Sequence, residues 1–422
     1  MLVAVTAAIF AIVFRGTLHW VLVHGGHASD VVTFMAKLPG WARVSLPMLG
    51  GLFAGLLGLA IGSSREGSGI AGVMEAVVLG RVRLSMRSTL VKSAAAWIAI
   101  ATGGSIGREG PLIQIGGSAG KLFGDRLGLS SVETRTLVAC GTAAGFAAAY
   151  NTPFAAILFV LEVVTGVVVL EMLVPTLIAT VIAAVATRAV VGDGPVYGER
   201  SFHLLDPREL IAFVGLGIFA ALASQGFMRL LSNGERGFSR LPIPWRSALG
   251  GALCGGIVAF IPEVAGNGYE PLNALLDGRF AIGFVAWLVM GKCVATTASV
   301  SSGSPGGVFT PTLLIGGGLG LLYASGLLHL GLAVGPAPGY ALVGMAAATA
   351  AVTHAPLMAA VMVFELSGDY AIALPLVLAT AAATLVSRSL RRESIYGAEL
   401  RASGSSWEMT IDGRRTIDGS PP

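Results

Sequence analysis

Charged side chains are scarce in this sequence. They make up 12% of 422 residues, against roughly 25% in an ordinary soluble domain. A soluble chain so poor in charge could not cover its own surface, which argues against a large soluble α/β enzyme. Cysteine is nearly absent. Cys140, Cys254 and Cys293 stand alone in apolar segments with no Cys-x-x-Cys, and read as small core residues. The six histidines form no His-Glu-x-x-His pair, so no metal site is expected. The formal net charge is only +4, and no basic stripe with interleaved aromatics occurs, so no nucleic-acid partner is expected. Nor does any set of nucleophile, base and orienting group suggest an enzyme. Met1–Phe14 is apolar with no basic stretch before it, and reads as the body of a first membrane helix rather than a signal peptide.

What is present is long apolar sequence and glycine. Uncharged, mostly apolar runs recur, as in Ser45–Ile61, Met172–Thr187, Leu210–Met228 and Ala371–Val386. Their length suits an all-α polytopic membrane protein. Glycine accounts for 59 residues without a three-residue period, which excludes collagen. In membrane helices, glycine permits close packing and marks breaks.

The chain also resembles itself. Gly67-Ser-Gly69 recurs as Gly266-Asn-Gly268. Gly107-Arg-Glu-Gly-Pro111, with Ile115-Gly-Gly117 and Gly120, recurs 200 residues later as Gly307-Val-Phe-Thr-Pro311, with Ile315-Gly-Gly317 and Gly320. Gly141–Val164 matches Gly344–Ser367 at nine of 24 positions, among them Pro153/Pro356 and Glu162/Glu365. Two related halves are expected at 1–231 and 247–397, followed by a short polar tail at 398–422 with no regulatory domain. Glycines and prolines at matching places in both halves predict discontinuous helices, with free N-terminal N–H groups near the membrane midplane. Such ends carry partial positive charge and suit anions. The basic clusters Arg81, Arg83, Arg87, Lys92 and Arg388, Arg391, Arg392, Arg401 are both expected on the cytoplasmic side. The side of Arg236, Arg240 and Arg246 stays unassigned.

Three glycine-rich motifs stand in one order: Gly67-Ser68-Gly69-Ile70, Gly107-Arg108-Glu109-Gly110-Pro111 and Gly307-Val308-Phe309-Thr310-Pro311. The first also spells Gly-x-Gly-x-x-Gly through Gly72, but residues 85–96 hold no Asp or Glu, which argues against a dinucleotide site. The ordered triple resembles the signatures of the CLC family of chloride channels and chloride/proton antiporters over nearly the whole chain. Ala71 departs from it, where the family usually has Pro. The resemblance implies a CLC-type fold of two inverted-topology repeats, whose broken helices meet at the membrane midplane. It implies chloride as the transported ligand with no cofactor, and a homodimer in a lipid bilayer, in the plasma membrane of a prokaryote, with one pore per subunit.

The resemblance also assigns residues. The amides of Val308 and Phe309 and the hydroxyls of Ser68 and Tyr396 would bind chloride. The backbones of Gly67, Gly69, Gly107, Arg108, Gly110 and Gly307 would line the anion pathway. Glu109 would be the gating glutamate, also able to carry a proton. A carboxylate among helix N-terminal amides imitates a bound anion, and inside a membrane it costs roughly 2.5–3.5 kcal/mol, which marks it as functional.

Antiporters of the family commonly carry a second, inner proton glutamate. Here Val163 takes that position, and Glu162 beside it matches a glutamate of both classes. On an α-helix, Glu162 would point about 100° away from Val163. Valine carries no proton, so a channel-like, uncoupled chloride conductance is favoured, with chloride/proton exchange as the alternative. Outside the family, the competing reading is an inverted-repeat transporter of a small organic anion.

Overall fold

The computed structural model describes residues 1–60, 69–80, 84–167, 169–192, 197–198, 204, 206–332 and 335–402, and the backbone of 407–410 and 413–416. Among them, eight helical segments are long and apolar enough to cross a membrane, and shorter apolar helices accompany them. The chain is a multi-pass membrane protein.

The first half runs through α1 (Leu2–Gly26), α2 (Val31–Lys37), α3 (Gly40–Ala60), α4 (Gly69–Val78), α5 (Met86–Ala101), α6 (Glu109–Arg126), α7 (Ser131–Tyr150), α8 (Pro153–Leu158) and α9 (Leu170–Val191). The second runs through α10 (Glu209–Phe238), α11 (Ile243–Phe260), α12 (Tyr269–Leu276), α13 (Ile282–Ser301), α14 (Phe309–His329), α15 (Ala337–Thr353), α16 (Pro356–Ser367) and α17 (Ala373–Leu390). After these comes α18 (Ile395–Ala402), then strands β1 (Trp407–Thr410) and β2 (Gly413–Thr416), which pair antiparallel in the polar tail.

The duplication is visible in the backbone. α7 and α15 both end on a left-handed residue, Asn151 at φ 58° and His354 at φ 59°. Each next helix starts on a proline, Pro153 or Pro356, where the missing N–H costs nothing. α8 then passes into a π-helical stretch, Phe159–Thr165, whereas α16 stays α-helical to Ser367. α1 packs on α5, α6, α7 and α9 as α10 packs on α13, α14, α15 and α17. Residue 231, the expected boundary, lies inside α10, which packs chiefly on α13, α14, α15 and α17.

The glycine excess has a packing cause. A Cβ at Gly116 would land on the Gly141 carbonyl, and one at Gly316 on the Gly344 carbonyl. Thus α6 meets α7, and α14 meets α15, backbone to backbone, at equivalent points of the two halves. In lipid, where apolar burial drives little association, such close contact is what holds helices together.

Among the interactions that join the halves, which include the packing of α3 on α11, two follow the duplication. Gly107 N donates to Gly307 O at 2.7 Å and Gly307 N to Gly107 O at 3.0 Å, a single antiparallel bridge. Because the strands of this bridge run in opposite directions, the helices that follow, α6 and α14, depart oppositely from the centre. The second is an exchange of caps. Glu162 accepts from Leu357 N (3.2 Å) and Met358 N (2.7 Å) at the start of α16. Glu365 accepts from Phe154 N (3.1 Å) and Ala155 N (2.8 Å) at the start of α8. Each half supplies the carboxylate that satisfies the orphan amides of the other.

Removing either cap leaves two amides without partners. Glu162→Ala and Glu365→Ala are each expected to cost about 1–2 kcal/mol, seen as a lower midpoint for loss of monodisperse protein on heating in detergent. Unchanged midpoints in both variants would rule out the capping account.

Candidate functional site

Helices α6 and α14 both begin at the central bridge, just after Gly107 and Gly307. Glu109 is the first residue of α6 and is fully buried. Its carboxylate reaches beyond its own helix. It crosses to the start of α14, where Oε1 accepts from Phe309 N at 2.7 Å and Oε2 from Thr310 Oγ1 at 3.0 Å. Tyr150 Oη lies 3.4 Å from Oε2 and 2.8 Å from Thr310 Oγ1. A negative group therefore sits on the free amide and positive dipole end of a 21-residue helix.

Space for that carboxylate is made by the two bridging glycines. A Cβ on Gly107 or on Gly307 would coincide with the carboxylate of Glu109. Gly110 has a different surrounding, with the Gly307 backbone 3.8 Å from where its Cβ would stand. The glycines of the second and third motifs thus clear one small volume from two sides.

Phe309 and Val308 are buried at the start of α14. The Phe309 ring meets Phe146 edge-on at 5.5 Å, Phe146 stacks on Phe159 at 4.7 Å, and Phe159 meets Tyr396 edge-on at 6.3 Å. An apolar wall therefore runs from the Glu109 site to α18. Tyr396 is buried at 5% exposure, and α18 packs on α4 and α15. A cavity of about 530 Å³ reaches the same place, lined by Gly69, Gly110, Gly307, Val308 and Tyr396 among others. Lys92, Arg246 and Arg391 also line it. One residue of each basic cluster, Lys92 and Arg391, thus lines one cavity with the unassigned Arg246; Arg81 and Arg83 lie outside the described residues.

Of the expected site residues, the structure brings Glu109, Phe309, Val308, Gly107, Gly110 and Gly307 together and connects them to Tyr396 and Gly69 through the cavity. Gly67 and Ser68 lie outside the described residues. Arg108 precedes α6, and its Nε is buried without a hydrogen-bond partner among the described residues. Val163 is buried within the π-helical stretch. There the winding differs from the α-helical spacing assumed for Glu162, whose carboxylate is committed to α16.

Sequence reading missed three polar groups. Thr310 was quoted within its motif without a role, and Tyr150 has no local signal at all. Lys292 is fully buried in α13 and donates to Val264 O (3.0 Å) and Gly266 O (2.9 Å), fixing the turn before α12. A lone lysine inside an apolar run was its only sign.

Residues 50–388 match the family model described as voltage gated chloride channel. The chain belongs to that family. Within it, a putative chloride channel protein ClcB-like from Ralstonia nicotianae is 39% identical, covering 94% of this chain and 95% of the relative. The voltage-gated ClC-type chloride channel ClcB of Shigella flexneri is 34% identical, covering 92% and 95%. Two solved structures share the fold. One is a slow cyanobacterial Cl⁻/H⁺ antiporter, with TM-score 0.85 and 23% identity over 96% of both chains. The other is a CLC-type fluoride/proton antiporter, with TM-score 0.78 and 22% identity over 94% and 96%.

Gly307→Ala should push the Glu109 carboxylate off the Phe309 amide and leave that amide to a solution anion. Crystals of the variant soaked in bromide are expected to show stronger anomalous density at the start of α14 than wild type. Equal density in the two would mean that Gly307 does not hold the carboxylate in place.

Proposed function

We propose that this protein moves chloride across the plasma membrane of a bacterium, through a pathway that Glu109 closes by taking the anion's place. The observation that carries the reading is the 2.7 Å bond from Phe309 N to Glu109 Oε1. An ionised carboxylate and a chloride compete for one amide and one helix dipole. When Glu109 gains a proton it loses its charge and its hold on that amide, and chloride takes its place beside Val308 and Phe309. Tyr396 and Ser68 complete the anion's surroundings, and Gly67, Gly69, Gly107, Arg108, Gly110 and Gly307 bound its path. The cavity of Lys92 and Arg391 is read as the cytoplasmic mouth.

The conductance is read as uncoupled from protons. A proton path needs titratable groups or ordered water along its whole length. Glu109 serves one part of such a path, but Val163 is apolar, and Glu162 is held by two amides of α16. The family names of the relatives at 39% and 34% identity favour a channel. Chloride/proton exchange is the alternative.

Flux from reconstituted liposomes tests both statements. Acid outside is expected to raise wild-type chloride flux, because protonation empties the site. Glu109→Gln should carry chloride at a rate that ignores outer pH. Reversal potentials should follow chloride alone under a proton gradient. If Glu109→Gln keeps the wild-type pH response, the gate lies elsewhere. Uphill proton movement driven by chloride would make the protein an exchanger.

The halves are proposed to divide between α9 and α10, since α10 packs chiefly on second-half helices. The protein is further proposed to work as a homodimer with one pathway per subunit. α8, α9, α16 and α17 present exposed apolar side chains such as Phe154, Leu170, Leu357 and Leu374. Single-particle images in detergent should show dimers. Monomers alone, with full transport, would contradict the assembly.

A further inference from the structure

Glu399 has no role in the gate described above, although it lines the same cavity as Tyr396. It follows Tyr396 by three residues on α18, so both side chains lie on one face of that helix. Its exposed surface faces the cavity. Its Oε1 lies 3.1 Å from where a Cβ on Gly69 would stand. Gly69 opens the 10-residue α4 at φ +66°. A second carboxylate thus stands beside the glycine at the start of a second broken helix, whose Gly69 amide itself donates to Gln114 Oε1 at 3.4 Å.

The charges around it are mixed. Lys92 comes from α5, Glu235 from the end of α10, Arg246 from α11, and Arg391 from the segment before α18. On α18 itself, Arg401 pairs with Glu393. The helices packed on α18, α4 and α15, contribute Glu75 and Tyr340 as their only ionisable groups, and neither lines the cavity. Three cations against two carboxylates leave the mouth with one net positive charge; without Glu399 it would have two.

We infer that Glu399 is a second carboxylate of the anion pathway, which limits access of chloride from the cavity to the site at α14. The inference rests on the reading that chloride passes through this cavity. Ionised, Glu399 cancels part of the field that draws anions in and occupies the positive end of α4. Protonated, it does neither. The pathway then has two carboxylate checkpoints in series, one at each broken helix, and the one on α18 responds to pH on the cavity side.

Chloride efflux from liposomes buffered alike on both faces tests this in the Glu109→Gln background, where the first checkpoint no longer titrates. Flux through Glu109→Gln should fall as pH rises through the carboxylate range. Adding Glu399→Gln should flatten that profile and raise flux at neutral pH on the order of fivefold, as one unit of charge near the ion path implies in a wet cavity. Glu399→Asp should keep the pH dependence. Lys92→Gln, the opposite charge change in the same cavity, should lower flux. An unchanged rate and profile in Glu109→Gln/Glu399→Gln would overturn the inference while leaving the transport reading intact. A wild-type protein that carries no chloride would overturn that reading and the inference with it.

Discussion

A helix that stops inside a membrane leaves amides that water cannot reach, and the rest of this structure follows from how they are satisfied. An unpaired amide in a low-dielectric interior costs about 1–3 kcal/mol, so each broken helix must find an acceptor. At α8 and α16 the acceptors are permanent, Glu365 and Glu162, each supplied by the opposite half. At α14 the acceptor is Glu109, held by one amide, one threonine hydroxyl and a longer contact to Tyr150. The same physics yields a structural cap in one pair of helices and an exchangeable ligand in another. The difference lies in what surrounds the carboxylate: the junction of α8 and α16 for the caps, and glycine-cleared space bordering a cavity for Glu109.

Glycine does two separate jobs here. At Gly116 and Gly316 it lets backbones of neighbouring helices touch, which replaces the hydrophobic driving force missing in lipid. At Gly107 and Gly307 it leaves room for a functional carboxylate and lets the two halves hydrogen-bond at their meeting point. Substitution at the first kind of site should separate helices; at the second it should move Glu109 and leave helix packing unaltered.

The internal duplication explains why the centre is polar while its surroundings are not. Each half alone would end in unsatisfied amides and an exposed carboxylate. Joined antiparallel, each half caps broken helices of the other. α10, about 45 Å long at 1.5 Å per residue, exceeds the roughly 30 Å hydrocarbon core. Its far end therefore carries Glu235 into the cavity.

Much was legible in the sequence because it depends on local pattern. Apolar runs marked the membrane helices, repeated Gly and Pro marked the breaks, and the ordered motifs marked Glu109, Val308 and Phe309. What lay beyond reach depends on which segments meet. No spacing shows that Glu109 reaches Phe309, 200 residues away, or that Tyr150 and Thr310 share its carboxylate. Glu162 and Glu365 were visible as a repeat, but that they exchange caps is decided by the crossing of the halves. The π-helical winding at Val163 upset an angle that assumed an α-helix. Arg246 could not be assigned a side from its own loop, whereas the cavity gives it Lys92 and Arg391 as neighbours. Amino-acid order alone determined where the chain breaks and which charges it keeps in the membrane. Tertiary structure decided which amide each charge satisfies, because that choice is a contact between distant segments and leaves no trace in either one.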